Sequence, residues 1–479
     1  MAKKIVLMAF ALVLFLCLAS CGDASGGKDN PEAEKTANEG IAENAEEGGP
    51  NLPEKDMGGK KFNIITAGWY GYRPLEIDDL APEEITGDAL DDAAYNRKIK
   101  IEDMYNCQIA HIQESDHVKA VDNIRKSVMA QDEAYDVAFV RGLNISSLIS
   151  SGCLLDLSFL PHADFEKPWW RKSVYDSLVL NGRRFAASGN MSIGEMKAVF
   201  LVCFDKQLIQ DNGLESPYAL VKSGDWTFEK MCVMAKSVTR DLDGDGKMGG
   251  DDQWGIIFQN DSPPSLFGAC GMKFAELDES GIPKMTLDSE ANIEKLMKMH
   301  ELLDIENVSQ MDQFISLTRR PLFEINAVHL VNALRERDES FGIVPLPKYD
   351  RAQPEYIPMT SGTFTPLICI PKTNADTENT GLFMEIMAYE GSRSVVPAFY
   401  ENILREKTAR DDESQDMLDY IFGNIKYDIG TLLNFGRLVD ESIVYFRGKN
   451  NTNFVSFFEK YRPVVERDIN KLLDESLNN

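Results

Sequence analysis

The chain is poor in the side chains that most enzymes work with. Its five histidines, His111, His117, His162, His300 and His329, are scattered, and each reads as surface or satisfied core rather than base or ligand. The 479 residues contain no H-E-x-x-H, no G-x-S-x-G elbow and no Walker A loop. Six cysteines follow Cys21, at 107, 153, 203, 232, 270 and 369, and none forms a C-x-x-C pair. Zinc and dithiol redox sites are therefore not indicated. Several of these thiols sit in apolar runs such as Leu201-Val202-Cys203-Phe204, where cysteine acts as a small hydrophobe, so free buried thiols are expected. Positive charge is also short: 50 basic against 77 acidic residues leave a net charge of -27. A nucleic-acid backbone or an anionic lipid surface would be repelled by that field, which excludes both as main partners. A glycosidase needs only two carboxylates about a cleft, so a polysaccharide-processing enzyme stays open as the alternative.

What is present begins at the N-terminus. Met1 to Lys4 is a short basic start, and Ile5 to Ala19 is uncharged, long enough for a signal-peptide core and short for a spanning helix. No later segment approaches 18 uncharged apolar residues. The stretch ends in Leu18-Ala19-Ser20-Cys21, which resembles the lipobox of bacterial lipoproteins. That resemblance implies cleavage of a signal peptide 1–20 and a diacylglyceryl (palmitate-bearing) Cys21. Residues 21–59 read as an acidic, disordered tether: Asp23 to Asp56 carries ten acids and three bases with almost no large apolar side chain. Such a segment buries too little surface to offset its ordering entropy. The chain length fits two or three domains, and 43% hydrophobic residues rule out wholesale disorder.

From residue 60 the pattern alternates between strand and helix. Strands are expected at 61–67, 135–140, 199–204, 255–258 and 365–370. Helices are expected at 88–106, from a Ser115 cap to Gln131, at 143–149, 206–211, 227–239 and 289–303, and from Thr377 onward. This spacing predicts an α/β architecture with mainly parallel sheets.

One local motif carries chemistry. Asp241-Leu242-Asp243-Gly244-Asp245-Gly246 followed by Asp252 matches the D-x-D-x-D-G loop of calcium-binding EF-hand-like sites. Asp241, Asp243 and Asp245 stand at positions one, three and five, Gly246 at the sharp turn, and Lys247 would offer its carbonyl. Asp252 replaces the usual bidentate glutamate at position twelve. A structural Ca²⁺ is the expectation, because clustered carboxylates repel one another until a cation neutralises them. Gly244 to Gly249 also satisfies G-x-G-x-x-G, but a helix precedes it and its aspartates would repel phosphate, so a nucleotide loop is rejected.

Several stretches resemble bacterial extracellular solute-binding proteins of the carbohydrate type (family 1), related to the maltodextrin-binding protein and serving ABC importers. These are Tyr135-Asp136-Val137-Ala138-Phe139, Gly152 to Leu157, Asn181-Gly182-Arg183-Arg184-Phe185-Ala186, Asp225 to Glu229 and Gly342 to Lys348. A calcium-like loop followed by Gln253-Trp254-Gly255 also occurs in relatives. The resemblance spans residues 60–400. It implies the two-lobed periplasmic-binding-protein-like fold (type II), with lobes joined by a multi-strand hinge and closing on ligand as a clamp. Lobe 1 is expected at 60–187 plus 360–410 and lobe 2 at 190–358 plus 411–479, with crossings near 186–190 and 359–365.

By the same resemblance the chain is a monomeric binding lipoprotein rather than an enzyme. It would sit on the extracellular face of the membrane, capture a carbohydrate (an oligosaccharide) and deliver it to the transmembrane subunits of an ABC permease. Its ligand would lie in the cleft, on loops at the carboxyl ends of strands. Sugars offer an apolar face to aromatic rings, so Trp69, Tyr70 and Tyr72 are the expected stacking surface. Arg141 and Asn144 follow a strand, Asn190 and Met191 follow the first crossing, and Thr360, Ser361 and Phe364 lie near the second. An arginine at 141 departs from neutral-sugar binders and makes an acidic sugar the ligand to test. Trp226, and at least one of Trp169 and Trp170, are expected to pack internally.

Overall fold

The computed structural model describes residues 49–259, 261–312, 321–334, 340–405 and 412–477. Two sheets organise it. The first is built from β1 (Lys60–Ala67), β2 (Cys107–Glu114) and β3 (Val137–Arg141), with a strand from far downstream. The second is built from β4 (Phe200–Asp205), β5 (Ile256–Gln259), β6 (Ser309–Asp312), β7 (Phe323–Ala327) and β8 (Phe341–Val344). The chain then returns to the first sheet as β9 (Pro366–Cys369).

The orders are β9-β3-β1-β2 and β6-β5-β7-β4-β8. In each sheet a parallel trio (β2-β1-β3 and β6-β5-β7) is followed by one antiparallel strand that arrives from the other half. The sheets are therefore mixed, not uniformly parallel, because each half lends a strand to its neighbour. All six residues of β4 are buried, as a strand covered on both faces requires.

The exchange makes the hinge. Residues 187–200 leave the first sheet and 359–368 come back beside them: Ala187 bridges Ile368 and Val199 bridges Thr360, both antiparallel. Phe200 N–H donates to Met359 O at 2.9 Å and Ser361 N–H to Ala198 O at 3.0 Å. A third strand joins where Met359 bridges Lys426 in parallel. Three paired segments therefore run side by side at the crossing.

Helices fall close to their expected places, from 89–105 to 377 onward. The second helix is capped by Asp116, not Ser115; its carboxylate accepts the Val118 and Lys119 N–H groups. β2 had no counterpart among the expected strands. It alternates polar and apolar residues at a sheet edge and follows the helix with only left-handed Asn106 between them.

Two placements differ from expectation. Residues 52–59, read as tether, dock on the first half: Met57 is buried, its N–H donates to Tyr105 O at 2.8 Å, and Lys55 pairs with Glu378. The last helix, Phe454–Leu477, was expected with the second lobe, yet it spans both halves. Leu473 O accepts from Asn181 Nδ2 while Arg462 pairs with Asp288. Cys21 and the rest of 1–48 lie outside the described residues. No helix among the described residues is long and apolar enough to cross a membrane. The six cysteines after Cys21 are buried, and none of them forms a disulfide.

Candidate functional site

The carboxyl end of β1 turns sharply into an aromatic loop. Gly68 N–H donates to Glu114 O at 2.7 Å and Tyr70 N–H to Ser115 O at 2.6 Å, which extends the β1–β2 pairing into the loop. Trp69 N–H donates to Glu76 Oε1 at 3.0 Å. Tyr70 adopts φ +52° and Gly71 φ +75°, and this left-handed pair reverses the chain within two residues.

Around the half-buried Trp69 ring the structure assembles a wall. His117 stacks on it at 5.0 Å with an 11° interplanar angle, and Phe364 and Tyr70 meet it edge-on at 5.1 and 5.8 Å. His329 sits edge-on to Phe364 at 5.9 Å and to Tyr72 at 6.1 Å. Edge-to-face and offset contacts at such centroid distances are the favoured arrangements of aromatic rings. The wall draws on all three parts of the fold: Trp69, Tyr70, Tyr72 and His117 from the first half, Phe364 from the returning crossing, and His329 from the end of β7. Tyr70 is 65% exposed and Tyr72 38%, so part of the apolar surface faces solvent.

Both histidines are held neutral. His117 Nδ1 bonds Asn144 Oδ1 at 3.0 Å, and burial pushes its pKa below the ordinary value. His329 donates from Nδ1 to Lys197 O at 3.1 Å. Burial, with further help from the nearby Lys197 and Arg141 charges, pushes its pKa down to about 4. Neither was foreseen as a site residue. The one local signal was their placement, His117 opening a helix and His329 two residues past a buried strand.

The other expected residues fall into three groups. Asn144 supports the wall through His117. Ser361 shapes its hinge side, since Ser361 Oγ accepts the Thr363 and Phe364 N–H groups and fixes the turn that presents Phe364. Thr360 is buried, and its hydroxyl pairs with Thr365 at 2.5 Å. Arg141 lies behind the wall. It is 1% exposed, and its two terminal nitrogens donate to Leu75 O at 2.6 Å and Phe364 O at 2.8 Å. It clamps the Tyr72–Leu75 turn to the hinge rather than presenting a free guanidinium, which removes the reason to favour an acidic sugar. Asn190 and Met191 make backbone contacts with the first half. Asn190 N–H donates to Trp169 O, and Met191, fully buried, gives its carbonyl to Arg97.

The remaining tryptophans named in the sequence pack internally. Trp169 and Trp170 both donate their indole N–H to the buried Glu385 carboxylate, at 2.9 and 2.7 Å. Trp226 donates to Pro345 O at 2.8 Å.

The acidic loop is a separate feature. The pairing of Arg240 with Gln253 closes it, and Gly246 takes φ +82° at the turn. Carboxylate oxygens of Asp241, Asp243 and Asp252 lie within 4.8 Å of one another. Backbone N–H groups orient them: Asp241 accepts from Gly244 and Gly246, and Asp252 from Leu242 and Gly249. The Gly249 and Leu242 bonds hold the Asp252 carboxyl below the usual range. Asp245 instead accepts from Lys247 N–H and stays outside the converging trio. A hard divalent cation with oxygen ligands would suit three converging carboxylates.

No family model and no curated protein matches the sequence. Solved structures match the fold over most of the chain. The maltose/maltodextrin-binding domain MalE from Bdellovibrio bacteriovorus, bound to maltotriose, is 12% identical, with a TM-score of 0.50 over 88% of this chain and 100% of that one. An ABC substrate-binding protein from Listeria monocytogenes in complex with cycloalternan is 13% identical, with a TM-score of 0.51 over 88% and 98%. UgpB from Mycobacterium tuberculosis, in complex with glycerophosphocholine, is 14% identical, with a TM-score of 0.54 over 78% and 95%. At such identities the likeness establishes the fold. This chain has the two-lobed, type II architecture of the maltose-binding-type solute-binding proteins.

Proposed function

We propose that this chain is the substrate-binding lipoprotein of an ABC importer, which captures an oligosaccharide between its two halves and delivers it to a permease. The observation that carries the reading is the aromatic wall, set at the carboxyl ends of β1 and β7 beside the strand-exchanged hinge. Aromatic faces match the C–H face of a pyranose ring, and a hinge of paired segments lets two halves close around it. The fold supports it further. Proteins with this architecture are described as bound to maltotriose, cycloalternan and mannotriose. A glycerophosphocholine complex on the same architecture is the specific reason to include a non-sugar solute in any screen.

Trp69, Tyr70, Tyr72 and Phe364 would stack the ligand, with Asn144 and Ser361 shaping the surface. Cys21 would carry the lipid that holds the protein at the outer membrane face. In the acidic loop Asp241, Asp243 and Asp252 would hold Ca²⁺, with Asp245 and the Lys247 carbonyl completing the set. The ion would screen carboxylate repulsion and staple the loop between Arg240 and Gln253.

Two measurements test the function. Mass spectrometry of solute retained through gentle purification should find an oligosaccharide. Calorimetric titration with that solute should show saturable binding without turnover. Cleavage of a glycan in stoichiometric excess would instead establish the enzyme alternative.

A further inference from the structure

Behind the Trp69 loop runs a chain of hydrogen bonds whose direction is fixed by its own chemistry. Thr66 lies opposite Gln113 in the parallel β1–β2 register, and His111 lies two residues before it. Thr66 Oγ1 bonds His111 Nε2 at 2.7 Å and Gln113 Oε1 at 3.0 Å. An amide oxygen only accepts, so the single Thr66 proton goes to Gln113, and His111 must donate from Nε2. The Gln113 amide nitrogen donates in turn to Glu76 Oε2. The other carboxylate oxygen, Oε1, takes the Trp69 N–H at 3.0 Å. Every link has one permitted polarity: His111 to Thr66 to Gln113 to Glu76, with Trp69 closing the far side.

Glu76 is also wedged in place from below. A Cβ on Gly68 would meet Glu76 Oε2 at 2.5 Å and Glu114 O at 2.8 Å, so only glycine lets the carboxylate pass under the loop. One carboxylate therefore connects the sheet edge, the turn and the backbone of the residue that carries the stacking ring.

We propose that Glu76 is the positioning residue for Trp69, holding the loop in its ligand-ready geometry through the relay from His111. The idea rests on the function proposed above for its purpose, though not for its geometry. Removing the carboxylate frees the Trp69 N–H and lets the loop move. Replacing Gln113 by glutamate sets two carboxylates against each other. Adding Glu76→Gln to that variant restores a permitted order: the introduced carboxylate accepts from Thr66 and from the introduced amide, whose oxygen takes the Trp69 N–H.

The test uses the full chain labelled with 5-fluorotryptophan, the Trp69 fluorine resonance being identified by its loss in Trp69→Phe. Maltotriose and mannotriose serve as probe ligands. Glu76→Ala and Gln113→Glu should each shift or broaden the Trp69 resonance and weaken sugar binding about tenfold, the scale of losing a hydrogen bond to a charged group. The paired variant Gln113→Glu with Glu76→Gln should return both readouts toward those of the unaltered chain. A merely structural role gives no such rescue. Unchanged resonances in the single variants, or a pair no better than Gln113→Glu alone, would overturn the inference. If the unaltered chain binds neither sugar, the carbohydrate reading loses support while the fluorine result still decides the role of Glu76.

Discussion

The aromatic wall and the acidic loop are built in opposite ways. The loop is contiguous, and its carboxylates are oriented by N–H groups of the loop itself, so its geometry does not draw on contacts between the two halves. It also concentrates negative charge, because three carboxylates converge, and a bound cation would relieve their repulsion. The wall is neutral and mutually attractive, but it draws on two halves and a crossing strand. Its geometry depends on how those parts sit. The contrast teaches that the loop should respond to ions and the wall to hinge position, ring removal and histidine charge.

The largest expected effect concerns His329. Its folded pKa of about 4 lies below the ordinary 6.5, so the unfolded chain binds more protons between those values. Stability is full above pH 6.5 and is lost as pH falls toward 4, by on the order of 3 kcal/mol for a group this buried. Denaturant melts at stepwise pH should show that slope, and His329→Gln should flatten it. A second buried group opposes it. Burial pushes the Asp428 carboxyl up to about 6, so its burden on the fold eases as pH falls from 6 toward 3.8. Asp428→Asn should therefore steepen the His329 slope.

Next in size is Trp69→Ala. Loss of an aromatic anchor should weaken oligosaccharide binding about 100-fold with a small change in melting temperature. Unchanged affinity would remove the wall from the ligand site.

Chelation addresses the other region. If Ca²⁺ is held at a hundred times its dissociation constant, removing it should lower stability by about 2.7 kcal/mol, with no comparable effect from Asp241→Asn plus chelator. A melting temperature indifferent to chelator would leave the acidic loop an uncompensated surface turn. The smallest effect should be Tyr70→Ala. That ring is largely exposed and meets Trp69 only by its edge, so affinity should fall about threefold.

Legibility followed range along the chain. The buried run of β4, the capped helices and the acidic loop could be read because periodicity and spacing act within a few residues. β2 escaped because a half-exposed edge strand alternates like many surface segments. Arg141 escaped in a different way. Its position after a strand was right for a ligand residue, but its two acceptors, Leu75 O and Phe364 O, are far away in sequence. Asn190 and Met191 were placed by proximity to a crossing, and the backbone there faces Trp169 and Arg97 instead.

By itself, the sequence determined the α/β alternation, the lack of H-E-x-x-H and Walker A motifs, and the closely spaced aspartates of residues 241–252, since each of these depends on neighbours in the chain. Tertiary structure decided which strands are exchanged, that Arg141 braces rather than binds, and that His117 and His329 join Trp69 and Phe364 in one surface. Those outcomes depend on side chains meeting across two sheets, and no local pattern encodes such a meeting.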